Sequence, residues 1–186
     1  MSLYFIAILP PEALGQRLKE LKLELAEKYQ TRHALKLPPH ITLQIPFRMS
    51  ETREEKLQKV LENFVKKQEH FVVETEGFGR FSRKVLFVKV ADNPALHYLH
   101  RELQQKLNKV FHLKENEKGS NFHPHITLAT RDLSYLNFEP AWKELKDREL
   151  KESFTAESLV LFKHNGKTWD WFGEFFLNKP SKATRN

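Results

Sequence analysis

The tetrapeptide His40-Ile-Thr-Leu43 returns unchanged as His125-Ile-Thr-Leu128, 85 residues further along a chain of 186. Nine His, nine Thr and 26 Leu are present. At those frequencies about 0.06 His-x-Thr-Leu matches are expected by accident. The elements around the two copies repeat at the same offset, the signature of an internal duplication. A duplicated chain folds into two similar lobes around a pseudo-twofold axis, and that axis would bring the two tetrapeptides face to face.

The repeat is legible in the hydrophobic pattern. Leu3–Leu9 is a buried-strand run stopped by Pro10-Pro11. Leu14, Leu18, Leu21 and Leu25 have helical spacing, predicting a helix over Glu12–Tyr29. Pro38-Pro39 introduces a strand over His40–Pro46. Ser50 reads as the N-cap of a helix over Glu51–Lys67, and Phe71–Phe81 as a third strand. The second half follows suit: a strand at Lys84–Val90, a helix at Asn93–Phe111, a polar loop at Glu115–Ser120, and a strand within Asn121–Arg131. A short helix at about Glu139–Arg148 comes next. Ser153–Lys163 and Thr168–Leu177 read as a terminal hairpin turning at Asn165-Gly166. The expectation is one domain over residues 1–179, with lobes of roughly 1–82 and 83–179 that exchange terminal strands, and a flexible tail at 180–186.

Side chains alternate faces along a strand, so His40 and Thr42 share one face, and Ile41 and Leu43 the other. The same holds for His125 and Thr127 against Ile126 and Leu128. The aliphatic faces belong to the lobe cores, which leaves the His/Thr faces for the groove between lobes. Imidazole titrates near pH 6.5, so one ring can be a base while the other is an acid. Two hydroxyls can donate to phosphate oxygens. Together these groups can open or close a phosphodiester without a metal, and carboxylates do not cluster near either copy. His123-Pro-His125 invites a metal reading, but no third ligand accompanies it.

Composition narrows the classes further. There is no Cys, which excludes disulfides, thiolate metal sites and a Cys nucleophile. No apolar run approaches the ~20 residues of a membrane helix. Met1–Leu9 has no basic leader and reads as a strand, so a cytoplasmic monomer is expected. The net charge of +7 permits an anionic partner.

The paired motifs resemble those of the two-histidine (2H) phosphoesterase superfamily. The greatest similarity is to its 2′-5′ RNA ligase and RNA 2′,3′-cyclic phosphodiesterase (LigT-like) branch. Tyr4–Glu12, Phe78–Phe81, Val85–Val88, Leu161–Lys163 and Trp169–Leu177 also look like segments of that family. The resemblance implies an α+β fold, a single bilobal domain with two antiparallel sheets facing a central groove and helices outside. It implies a phosphodiesterase acting on RNA with a 2′,3′-cyclic phosphate end or on small cyclic nucleotides, without cofactor, metal or membrane. His40 would donate a proton to the leaving ribose oxygen, His125 would activate water, and Thr42 and Thr127 would bind the phosphate. The alternatives are 2′-5′ ligation by the same pair, or a non-catalytic module that binds RNA ends or nucleotides.

Two departures from the branch stand out. The second motif runs on as Ala129-Thr-Arg131, with the basic residue one place later than usual. In a regular strand Arg131 would share the His125 face, and Thr130 would not. The first motif continues as Gln44-Ile-Pro-Phe47 in place of an apolar-aromatic-Gly pattern. Phe47, Arg80, Phe81 and Trp169 are candidate nucleotide contacts by stacking or phosphate binding. Arg83 and Lys84 extend that basic stretch. His97 and His100, at i and i+3, read as a solvated helix face, as do Lys56, Lys59, Lys66 and Lys67.

Overall fold

The computed structural model describes residues 1–119 and 121–180. Residues 181–186, most of the expected tail, lie outside the described residues, as does Ser120 at the end of the expected polar loop. The strands are β1 (Ser2–Ile8), β2 (Ile41–Met49), β3 (Phe71–Phe81), β4 (Val85–Val90), β5 (His125–Thr130), β6 (Ser153–Ala156), β7 (Ser158–His164) and β8 (Trp169–Phe176). The helices are α1 (Glu12–Tyr29), α2 (Glu54–Val65), α3 (Pro94–Phe111) and α4 (Tyr135–Leu145). Short 3₁₀ turns occupy His33–Lys36, Glu51–Arg53 and Glu115–Glu117.

The strands form one antiparallel order, β6-β3-β4-β5-β2-β1-β7-β8. Its two four-stranded halves meet where Ile41 of β2 pairs with Ile126 of β5. The duplication is plain in this order. β1-α1-β2 corresponds to β4-α3-β5, and strands cross between the repeats: β3 pairs with β4, and β7 with β1. The helices and one face of the sheet share a single apolar core, which holds Ile41, Leu43, Ile126 and Leu128. The opposite face carries a smaller cluster of Phe5, Ala7, Val160 and Phe162, with Trp169 packed against it.

Local chemistry accounts for the helix limits. Pro10-Pro11 stops β1 and starts α1, which ends at Gln30 in the left-handed region (φ 57°). The Asn93 side chain accepts the Leu96 N–H at 3.1 Å and Pro94 takes the first position of α3. The first and third strands and the α1 and α3 limits fall where the periodicity predicts.

Several expectations are corrected. Ser50 caps no α-helix: its hydroxyl meets Thr52 Oγ1 at 2.9 Å, and a 3₁₀ turn precedes α2. α4 begins at Tyr135, four residues before the expected start, because Ser134 caps it by accepting the Asn137 N–H. Pro140, which suggests a helix start, instead sits inside the helix. The expected strand Ser153–Lys163 is two strands. β6 pairs with β3 at one edge of the sheet, while β7 pairs with β1 in the other half. His97 and His100 are not a solvated face either. The His100 ring stacks on Phe122 (centroids 3.8 Å apart, 4° between planes), His97 meets the same ring edge-on, and burial holds the His100 pKa down near 4. Lys56, Lys59, Lys66 and Lys67 are exposed.

Candidate active site

The Ile41–Ile126 pair at the centre of the sheet decides the geometry of the site. Both side chains are fully buried, so the residues flanking them project from the other face. The antiparallel sense sets His40 across from Thr127 and Thr42 across from His125. All four are half-buried.

Each imidazole is held from behind by its own chain. Nδ1 of His40 donates to the Pro38 carbonyl at 2.8 Å, and Nδ1 of His125 donates to the His123 carbonyl at 2.7 Å. A carbonyl only accepts, so each Nδ1 carries the proton, and Nε2 of the neutral ring is the free nitrogen. A proline precedes both histidines, Pro39 and Pro124, and holds the preceding residue extended. This shared Pro-His step lies just outside the repeated tetrapeptide and is easily passed over. The rings also have equivalent aromatic neighbours: Phe5 of β1 lies 5.3 Å from His40, and Phe87 of β4 lies 5.1 Å from His125.

Burial lowers the pKa of His40 to about 4. The Pro38 carbonyl works against that shift, and the charges of Lys22 and His125 add to it. His125 is also lowered, by burial first, with the His123 carbonyl opposing and the His123 ring reinforcing. Both rings are therefore neutral at pH 7. Their mutual repulsion disfavours a second proton once one is bound.

A groove of about 580 Å³ runs along the His40 side. Phe5, His40, Thr42, Thr127, Thr130, Arg131 and Trp169 line it, with the cations Lys22, Lys36 and Lys167; none of the residues lining it is Asp or Glu. Its field favours an anion. Among the described residues, no group of three or more His, Asp or Glu is placed to hold a metal ion. No helix among them is long and apolar enough to cross a membrane.

The remaining sequence candidates separate. Arg131 lines the groove, but not as a regular strand residue. β5 ends at Thr130, a register shift lies between Leu86 and Phe87 of its partner, and Leu128 and Ala129 are both buried. That shift turns Thr130 toward the groove, and Arg131 follows with a left-handed backbone (φ 60°). Trp169 forms a groove wall, edge-on to Phe5 at 4.7 Å. Phe81 stands edge-on to the His125 ring at 5.0 Å. Phe47 is no nucleotide contact, because it is fully buried and packs against Tyr4 in the core. Arg80 does not line the groove: it reaches Glu139 of α4 at 3.3 Å and lies over the Trp142 ring. Arg83 joins it on Glu139 at 2.9 Å.

Further contributors lie outside the candidates read from the sequence. Lys22 of α1 reaches the groove from a buried position, and its signal is a charge on an apolar stripe, four residues after Leu18 and three before Leu25. Asp132 ties the two halves together: its carboxylate accepts the Thr31 hydroxyl at 2.9 Å and the N–H groups of Arg32 and His33 at 2.7 Å each. Gln44 is fully buried and donates to the carbonyls of Ile45 and Glu117, while Gln104 of α3 donates to the Leu43 carbonyl and to Gln44 Oε1. That network braces β2 just beyond Thr42 and explains a glutamine where an apolar residue is expected.

A family model described as the 2′-5′ RNA ligase superfamily matches residues 10–168. A Bacillus cytotoxicus protein named “Putative phosphoesterase” is 28% identical over 180 residues, covering 95% of this chain and 98% of that one. A Bacillus mycoides protein of the same name is 29% identical over 183 residues, covering 95% and 97%. Among solved structures, TT0787 of Thermus thermophilus superposes with a TM-score of 0.68 at 18% identity, covering 96% of this chain and 99% of that one. E. coli LigT, solved in complex with 3′-AMP, gives 0.61 at 19% identity, covering 96% and 99%. These two structural likenesses concern the fold.

Proposed function

This chain belongs to the 2′-5′ RNA ligase superfamily, and on that premise we propose that it is a metal-independent phosphodiesterase that hydrolyses 2′,3′-cyclic phosphate ends of RNA or small cyclic nucleotides. The observation that carries the reading is the matched pair of rings. Each is fixed through Nδ1 and offers Nε2, on adjacent central strands, beside a groove lined by cations.

In the cyclic phosphate, one P–O bond to ribose breaks as a P–O bond to water forms. His125 takes the proton from the attacking water at Nε2. His40, protonated, gives one to the departing ribose oxygen. The hydroxyls of Thr42 and Thr127 donate to the non-bridging oxygens as charge builds there. The phosphate supplies the proton balance. Its negative charge raises the pKa of the nearby rings, while the repulsion between them admits one proton and not two. That is the singly protonated state the reaction needs. Arg131 adds charge at the groove's lip, and Trp169 offers a face for a base. LigT has been crystallised with 3′-AMP, a ligand that fits this reading.

The test is incubation of the EDTA-treated protein with adenosine 2′,3′-cyclic phosphate and a short cyclic-ended RNA, beside the His40→Ala/His125→Ala double variant. Turnover by the wild type alone, unaffected by chelator, is expected. Full loss on chelation, restored by one divalent metal, would overturn the metal-independent route. The family's description favours 2′-5′ joining of RNA ends as the second reading. It uses the same pair in reverse, and a ligated product from cyclic-ended and 5′-hydroxyl RNA would reveal it.

A further inference from the structure

Lys22 is 3% exposed, yet it sits on the face of α1 that carries Leu18 and Leu25. Its Nζ donates to two carbonyl oxygens, that of Ala34 at 3.0 Å and that of Leu37 at 3.2 Å. Among the described residues no Asp or Glu forms an ion pair with it. Burial lowers its pKa to about 8, which leaves it mostly charged at neutral pH. An ammonium in such a place is costly, and an apolar chain of similar shape would pack there at no such cost. A fold gains nothing from it unless the charge or its hydrogen bonds are used.

The surroundings indicate the use. The two carbonyls belong to the turn that runs from His33 into Leu37 and Pro38, and the next carbonyl, that of Pro38, accepts from Nδ1 of His40. The ammonium has three protons and the carbonyls take two, so one donor remains beside the groove wall it shares with His40 and Thr42. We propose that Lys22 is a positioning residue for His40: its buried ammonium fastens the Ala34–Leu37 turn, and through it aims the Pro38 carbonyl that holds the imidazole. This rests on the reading of His40 as an acid–base group.

A second effect follows from the charge itself. The groups that face His40 are Lys22 from α1, His125 from β5, His33 and Lys36 from the 3₁₀ turn, Arg131 after β5, and His164 and Lys167 from the β7–β8 turn. Lys22 and His125 are the two whose charges bear on the ring, both downward. Removing the Lys22 charge must move the His40 titration up.

The experiment compares Lys22→Met and Lys22→Gln with the wild type by thermal melting, by NMR titration of the His40 ring, and by turnover of a cyclic phosphate. Met removes the cost of the buried charge but leaves the two carbonyls without their donor, so its Tm is expected to stay near that of the wild type. Turnover is expected to fall about tenfold, and the His40 midpoint to rise by about half a pH unit. Gln keeps a donor for one carbonyl, so it should lose less turnover and show the same upward titration. A purely structural lysine would give a lower Tm with turnover within twofold of wild type in the folded protein, because the His40 midpoint follows the charge in either case. Turnover within twofold of wild type in the folded variants overturns the proposal whether or not the His40 midpoint moves. The titration needs no substrate, so a wild type inert toward every cyclic phosphate would sink the proposed reaction and still leave the His40 shift to be read.

Discussion

His40 and His125 are held in the same way where β2 and β5 meet: each donates its Nδ1 proton to the carbonyl two residues upstream, at 2.8 and 2.7 Å. The equivalence fixes the tautomer of both rings and offers the same nitrogen, Nε2, from each. It also makes the two variants His→Asn and His→Gln informative. Asn places its amide nitrogen near the Nδ1 position and retains the carbonyl bond without anything at Nε2. His40→Asn and His125→Asn are therefore expected to fold as the wild type does and to lose at least ~10²-fold in turnover each. Combining them should cost far less than the product of the single losses, since the two rings act as a unit. Steady-state rates on adenosine 2′,3′-cyclic phosphate, with circular dichroism as the fold control, settle it.

The depressed pKa of both rings makes a prediction about pH. His40, at about 4, lies below the ordinary value of 6.5 by burial first, and His125 is shifted the same way. Because the His125 pKa lies below 6.5, the acid limb of kcat/KM should fall below that value. The limb of kcat reports the complex, where the phosphate anion raises the rings, and it should lie higher. Stability carries the same signature. Between pH 6.5 and about 4 the unfolded chain binds protons that the folded His40 refuses, so stability is lost as pH falls through that window. Urea midpoints at pH 7 and pH 5 should differ more for the wild type than for His40→Asn.

Much of the geometry of this candidate site is legible in the sequence. The tetrapeptide repeat and strand alternation placed His40, Thr42, His125 and Thr127 together, and the buried Ile41–Ile126 pair shows why: the aliphatic faces leave the polar ones nowhere but the groove. What escaped the sequence was long-range. Phe47 is an aromatic four residues past Leu43 on a strand with polar neighbours, and only the packing of Tyr4 onto it reveals a core residue. Arg80 carries no mark of its pairing with Glu139, 59 residues away. The bulge that turns Thr130 toward the groove depends on how β5 meets β4, which alternation along one strand cannot express. Ser153–Lys163 has a continuous strand pattern, and its division between the two halves of the sheet follows from the crossover of the repeats.

Asp132 provides a test of how the halves are joined. Burial alone would push its carboxyl up, but the N–H groups of Arg32 and His33 and the Thr31 hydroxyl hold it below the usual value. That stabilisation is present above the ordinary carboxylate pKa and is lost as pH falls through the folded one, so it is absent only in acid below about pH 4. Asp132→Ala removes the acceptor for all three donors and frees the residue next to Arg131 in the groove wall. The expected outcome is a loss of about 1 kcal/mol in urea unfolding at pH 7 and a severalfold rise in KM, with kcat nearly unchanged. A variant with lower kcat and wild-type KM would mean that the tether acts on the rings and not on Arg131.

Phe47 and Trp169 separate packing from recognition. Both are aromatic and both flank a histidine motif in the sequence or in space, but their surroundings differ. Phe47 has no exposed surface and meets Tyr4 at 5.9 Å between ring centroids, within the core shared by the helices. Removing its ring leaves a cavity that cannot fill with water, so Phe47→Ala should cost about 3–5 kcal/mol. Trp169 opens β8 on the groove face, half-buried, in edge-on contact with the rings of Phe5 and His164 while it lines the groove. Trp169→Ala should cost about 2 kcal/mol, the loss of two ring pairs, with Phe5 and with His164. It should raise KM for nucleotide substrates by about tenfold, in keeping with the loss of one stacked base. Chemical denaturation and steady-state kinetics on the two variants should therefore move in opposite order: Phe47→Ala unstable with wild-type KM in its folded fraction, Trp169→Ala stable with weakened binding. If Trp169→Ala bound every nucleotide as the wild type does, the base would have to lie on the His125 side, against Phe81, and Phe81→Ala would then carry the KM effect.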